Sequence, residues 1–182
     1  DRFTLGEPSG EKTERVQTLA NLMKAGGLKS FIKPRVRDEI WIKLWGNCSF
    51  NPVSALTGAS LDLIGADAAC RGIVRDAMIE CRNVGEAIGA RFVVDIERRI
   101  QGGADIIGHK PSTRHDVEQM RPMELDALVC TVQELARRLD IPTPTLDTIS
   151  GLVRMQGQVL GLYNRRSDLE DIITGDYVPA AK

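Results

Sequence analysis

A mainly α-helical protein with a short βαβ unit at its N-terminus is the fold class that this 182-residue sequence predicts. Two observations carry the reading. Strand-like runs occur only at Arg2–Leu5 and Ser30–Lys33, flanking a helical window from about Glu11 to Ala25 that Gly26 and Gly27 close. From Arg35 onward the apolar residues recur at helical spacing instead. A βαβ unit of this size cannot bury both faces of a sheet by itself, so it is read as the remnant of a larger sheet. The expected division is residues 1–35 for that remnant and residues 36–182 for a helical domain.

The long helix that opens the second part starts near Arg37 and gives way to turns around Thr57 and Gly58. On its wheel Ile40, Trp41, Leu44, Trp45, Cys48 and Ala55 fill one apolar arc. Pro52 lies inside this helix and, lacking an amide hydrogen, is expected to kink or open it near Asn51. From Asp67, a fitting N-cap, to about Arg91, a stripe of Ile73, Val74, Ala77, Met78, Cys81, Val84 and Ile88 predicts a buried face. Asp95–Gly102 reads as a shorter helix, followed by a loop from Gly102 to Thr113 that carries Ser112. Two more helices follow, separated by the break Ile141-Pro142-Thr143-Pro144. The first runs near Arg121–Leu139, with Pro122 as its first helical residue and Leu128, Val132, Leu135 and Leu139 inward. The second runs over Thr145–Tyr163 with Ile149, Leu152, Val153, Val159 and Leu160 inward, and the polar tail beyond Arg165 is expected to pack loosely.

Composition excludes several classes. A net charge of −1 without long runs of one sign argues against nucleic acid as the main partner, and 4% aromatic residues leave few stacking platforms. No apolar stretch approaches the roughly 20 residues that span a bilayer, and no signal-peptide pattern is present, so a cytoplasmic protein is expected. Cys48, Cys70, Cys81 and Cys130 stand singly with only two histidines in the chain, which argues against zinc; Cys48, Cys81 and Cys130 fall on or near apolar stripes and are expected to be reduced core thiols.

The stretch IWIKLWGNCSFNPVSAL holds the most informative residues. Lys43, Asn47 and Asn51 recur every four positions, so on a helix they form a polar band roughly 80° wide and about 12 Å long beside the apolar arc. Spacing alone leaves two readings open: a pocket bordered by one ammonium and two amides, or an edge lysine that snorkels above two loop-tying asparagines.

The run W-x-K-L-x-x-N-x-x-x-N-P, Trp41 to Pro52, resembles the start of the C-terminal domain of the ketopantoate reductases, enzymes with a helical domain of the 6-phosphogluconate dehydrogenase type. The segment from Lys110 to Leu128 is similar to that family's second signature, a Ser, an Asp four residues on, and a Glu after an Arg-Pro pair. Here these are Ser112, Asp116 and Glu124, with Arg121 and Pro122 before the Glu. The opening FTLGEPSGEKTERVQTLANLMKAGG resembles the stretch that closes the family's Rossmann-type cofactor domain.

The resemblance implies a C-terminal catalytic domain of an NADPH-dependent 2-dehydropantoate 2-reductase of pantothenate biosynthesis, with a 2-keto acid as its small-molecule partner. A homo-oligomer is expected from the unpaired strand edges and the Phe3, Leu5, Phe31 and Ile32 side chains of the βαβ remnant. Reduction of a ketone needs a hydride on carbon and a proton on oxygen, and a lysine ammonium, charged at neutral pH, both polarises the carbonyl and donates that proton. By resemblance Lys43 is this acid, Asn47 and Asn51 hydrogen-bond the substrate oxygens, Ser112 donates to its carboxylate, and Glu124 lies beside the nicotinamide end of the cofactor. Asp116 is expected to cap or brace its helix. Where some relatives carry an amide about ten residues after the second Asn, this chain offers only Thr57, Ser60 and Asp62.

No G-x-G-x-x-G opens a helix after a strand, so the main NADPH site is expected to lie outside this chain and the fragment alone to be inactive. Two alternatives stay open: a reductase of another 2-keto acid, and a non-catalytic helical domain for dimerisation or interaction.

Overall fold

The computed structural model describes residues 2–163; the expectation for the tail beyond Arg165 lies outside them. The chain divides into two compact units, one ending at Lys43 and the other beginning at Leu44.

The first unit holds the βαβ element and the start of the next helix. β1 (Phe3–Leu5) and β2 (Ser30–Ile32) pair in parallel with Phe3 opposite Ser30 and Leu5 opposite Ile32, and α1 (Glu14–Ala25) crosses between them. α1 starts three residues later than the periodicity suggests, because the Thr13 side chain accepts a hydrogen bond from the Val16 amide and so caps it. Val16 and Ala20 are buried, and the Ser30 hydroxyl donates to the Ala20 carbonyl at 2.9 Å, tying the helix to the strand behind it. Glu7 accepts hydrogen bonds from Arg15 and Thr13, which hold its carboxyl down to about 2. Gly6 is required by close approach: a Cβ there would stand 2.5 Å from the Lys33 carbonyl oxygen.

α2 (Val36–Thr57) runs unbroken through Pro52, so the opening expected there is not seen. Asn51, Pro52, Val53, Ser54 and Ala55 are all buried, and this packing outweighs the one hydrogen bond that proline removes. In the second unit Trp45 is fully buried, donates its indole N–H to the Met78 carbonyl at 2.7 Å and meets Phe92 edge to face at 5.0 Å. Ile40, placed in the apolar arc, is 57% exposed.

α3 (Leu61–Ala66), a short helix absent from the periodicity, packs on α5 (Ile96–Ala104) at Gly65, where a Cβ would come within 2.4 Å of the Ala104 Cβ. α4 (Ala68–Ala87) begins as expected, with Asp67 accepting from the Cys70 amide. Val74, Ala77, Met78, Cys81 and Val84 form its buried face, whereas Ile73 and Ile88 are exposed. Ile73 sits at the edge of the arc, and Ile88 lies one residue past the helix end. Cys48, Cys81 and Cys130 are buried free thiols, and burial raises the Cys48 thiol well above its ordinary value.

α4 and α5 are bridged by Glu97, which accepts from Arg75 and, at 3.0 Å, from Arg71. These two guanidinium groups, Arg75 foremost, hold its carboxyl down to about 2. The folded value lies below the ordinary ~4.3, so the bridge contributes in full above that pH and is lost as the pH falls towards 2. Titration of the Glu97 carboxyl by NMR is expected to show this depressed midpoint; an ordinary midpoint would mean that the bridge does not persist in solution.

α6 (Ser112–Glu118) corrects the loop expected up to Thr113, since Ser112 is the first residue of a helix that follows Pro111. Asp116 braces the end of α6 by pairing with Arg121 at 3.0 Å. The next helix does not begin at Pro122 either. The Met123 amide donates to the Leu162 carbonyl at 2.8 Å, keeping residues 121–124 out of the helix, which opens at Leu125 with a π turn (Asp126–Cys130) and continues as α7 (Thr131–Arg138). One extra residue per turn shifts the inward face. Val129, Val132, Gln133 and Ala136 are buried, while Leu128 and Leu135 are only half-buried and Leu139 is exposed. Buried Gln133 is satisfied by donating to Asp147 at 2.7 Å and accepting from Ser150 at 2.8 Å.

α8 (Pro144–Val159) starts with proline at its first position and buries Leu146, Ile149, Ser150, Val153 and Gly157. Leu152 and Val159 are exposed, because they lie about 100° and about 120° around the wheel from Val153, and Leu160 falls beyond the helix end. Thr143 precedes α8 without a side-chain cap, and Glu80 of α4 takes that place: its two carboxylate oxygens accept from the Thr145 and Leu146 amides, each at 2.8 Å.

Candidate functional site

The second unit contains a cleft of about 210 Å³ between α2, α3, α5 and the start of α6. Asn47, Phe50 and Asn51 line it from α2, Leu61 from α3, Arg99 and Gly103 from α5, and His109, Pro111 and Ser112 from the segment leading into α6. That segment is held in place by backbone: the Leu61 amide donates to the His109 carbonyl at 3.0 Å, and the Gly108 amide donates to the Asp62 carboxylate at 3.0 Å. The second bond lowers the Asp62 carboxyl, after a larger contribution from Ser60. Gly103 brings α5 close to α2, with space for a Cβ ending 3.4 Å from the Phe50 ring.

Three of the five polar residues singled out by sequence therefore line one cleft: Asn47, Asn51 and Ser112. Asn51 is only 5% exposed and donates from its side-chain amide to the Thr113 hydroxyl at 3.4 Å, a long bond that joins α2 to α6. Ser112, beside Thr113, is exposed at the cleft. Lys43 stands one helical turn before Asn47 in α2, at the end of the first unit, with its side chain exposed. Glu124 is exposed too, but it precedes the helix instead of lying in its first turn; its carbonyl accepts from the Leu128 amide at 3.3 Å. Neither lines the cleft. Thr57, Ser60 and Asp62 do not line it either; Thr57 donates to the Val53 carbonyl at 2.7 Å.

The sequence reading missed Arg99. Its guanidinium lies over Gly46, where a Cβ would come 2.9 Å from Nη2. The signal was present: once α5 is extended to Ala104, Arg99 falls on the same side as buried Ile96, Ile100 and Gly103, a charged residue next to an apolar face. Among the lining residues there is no carboxylate, so the cleft is suited chemically to an anion with hydrogen-bonding oxygens.

The βα turn of the first unit does not fit a dinucleotide pyrophosphate. Gly6 and Gly10 stand too far apart for a G-x-G-x-x-G turn, and the Glu7 carboxylate already occupies the space before α1, where it would repel phosphate.

The sequence profile described as ketopantoate reductase PanE/ApbA C terminal matches residues 35–157. A 2-dehydropantoate 2-reductase from Mesorhizobium japonicum is 50% identical over 163 residues, covering 90% of this chain and 50% of that protein. The crystal structure of 2-dehydropantoate 2-reductase from Geobacter metallireducens superposes with a TM-score of 0.78 at 28% identity, covering 85% of this chain and 52% of that one. A D-mandelate dehydrogenase in ternary complex also superposes with a TM-score of 0.78 over 88% of this chain and 68% of its own, and at 18% identity that likeness shows the fold alone. The chain spans about half the length of the curated relatives it matches. With the motifs of α2 and α6 inside the matched span, the chain belongs to the family of ketopantoate reductase C-terminal domains.

Proposed function

We propose that this chain is the substrate-binding, proton-donating half of a cytoplasmic, homo-oligomeric, NADPH-dependent 2-dehydropantoate 2-reductase that serves pantothenate biosynthesis. The observation that carries this reading is the meeting of Asn47 and Asn51 with Ser112 at one cleft, although they come from separate helices. A scaffold domain has no evident need for such a set, whereas a keto acid presents carbonyl, hydroxyl and carboxylate oxygens to it.

In this reading the two amides orient the substrate and Ser112 donates to its carboxylate. Neutral amides suit the task, since a further carboxylate would repel the keto acid. Lys43 polarises the ketone and gives its proton to the oxygen as negative charge develops there. Glu124 is assigned to the nicotinamide end of NADPH. The cofactor supplies the hydride when bound, and its phosphates are held outside the described residues.

Asn51→Ala and Ser112→Ala are each expected to weaken substrate binding by roughly 1–3 kcal/mol, because each leaves a substrate oxygen unpaired. Steady-state kinetics of the whole reductase would read this as a raised KM. An unchanged KM in both variants would remove the cleft from the substrate site.

A further inference from the structure

We propose that Arg99 selects substrates bearing a carboxylate, its guanidinium pairing with that group of the bound 2-keto acid; this rests on the reading of the cleft given above. Arg99 lines the cleft alongside Asn47, Asn51 and Ser112, and the lining contains no acidic side chain. Its Nε is buried without a hydrogen-bond partner among the described residues. A buried donor on a cation is costly to leave unmade, so an oxygen ligand in the cleft would satisfy a demand that the fold leaves open.

The acids closest in sequence are engaged elsewhere. Glu97 is held by Arg71 and Arg75, and the Asp95 carboxylate accepts from the Arg98 amide as the cap of α5. Asp105 accepts from Gln101. Gly46 leaves room for the guanidinium against α2, where any larger residue would crowd Nη2. The result is a planar, permanently charged donor at the wall of a cleft whose other polar side chains are the amides of Asn47 and Asn51, the Ser112 hydroxyl and the His109 imidazole, none of them acidic, the arrangement by which arginine recognises a carboxylate.

The test compares 2-dehydropantoate with its uncharged lactone as substrates of the whole reductase, in wild type, Arg99→Met and Arg99→Lys. Arg99→Met is expected to raise KM for the acid by at least about 30-fold, with KM for the lactone and kcat for both changed less than about 3-fold. Arg99→Lys is expected to recover part of the preference, since it keeps the charge but not the fork. Should Arg99→Met fail to fold by circular dichroism, Gly46→Ala, which crowds the guanidinium without removing it, is expected to reproduce the selective loss. A parallel rise in both KM values would assign Arg99 a packing role only and overturn the proposal, as would an unchanged KM for the acid. If the wild-type enzyme reduces neither compound, the reductase reading itself fails and Arg99's role falls with it, an outcome visible before any variant is made.

Discussion

Replacing Lys43 with alanine is expected to lower kcat for 2-dehydropantoate by at least about 100-fold while leaving the fold intact. The magnitude follows from the role proposed for it. Removing a positioned proton donor forfeits general-acid catalysis on the order of 10²–10⁴, and water cannot replace an ammonium that also polarises the ketone before transfer. The structural cost is small, because the Lys43 side chain is exposed and alanine is the strongest helix former for its place in α2. Circular dichroism and steady-state kinetics on the same preparation separate the two effects. Near-normal turnover in the variant would exclude Lys43 as the acid.

Glu80→Ala is expected to destabilise the helical unit by about 3 kcal/mol. Glu80 is 8% exposed and accepts from two amides in the first turn of α8, which has no cap of its own. Truncation leaves both donors orphaned where water has poor access, and it removes a negative charge from the positive end of a helix dipole. For a chain of this size the melting temperature should fall by roughly 6–12 °C. Glu80→Gln, which keeps one acceptor oxygen, should lose about half as much. Denaturant unfolding of the three proteins would check the order, and an alanine variant within about 0.5 kcal/mol of wild type would show that the tie between α4 and α8 contributes little.

Helices were legible where local signals agreed. α4 was legible from its cap at Asp67 and a stripe of consistent period, and α2 from its wheel, because in both cases the chain's own spacing decides the buried face. The failures have a different origin. The π turn at Asp126–Cys130 depends on Met123 being tied to Leu162, a partner far along the chain, and the resulting shift put Gln133 where the spacing promised Leu135. Glu80's capping role was invisible for the same reason: the amides it serves are 65 and 66 residues away. At the candidate site, the four-residue rhythm of Asn47 and Asn51 was plain in the sequence. Ser112 came from resemblance, and only folding put it at the same cleft. Arg99 escaped because its helix was cut short at Gly102, which hid the face it shares with Gly103.

The bond from Asn51 to Thr113 carries a stereochemical consequence. One amide hydrogen of Asn51 is engaged inside the helical unit, so the side chain cannot swing freely and offers only its second hydrogen and its oxygen to a ligand. Donor and acceptor then point in set directions before any substrate arrives, which lowers the entropy lost on binding. In the reading proposed above, a prochiral ketone gripped by such an amide, with its carboxylate held by Ser112 and Arg99, would present one face to the hydride source. Under the proposed function, the handedness of the alcohol formed would thus be written into a contact between α2 and α6.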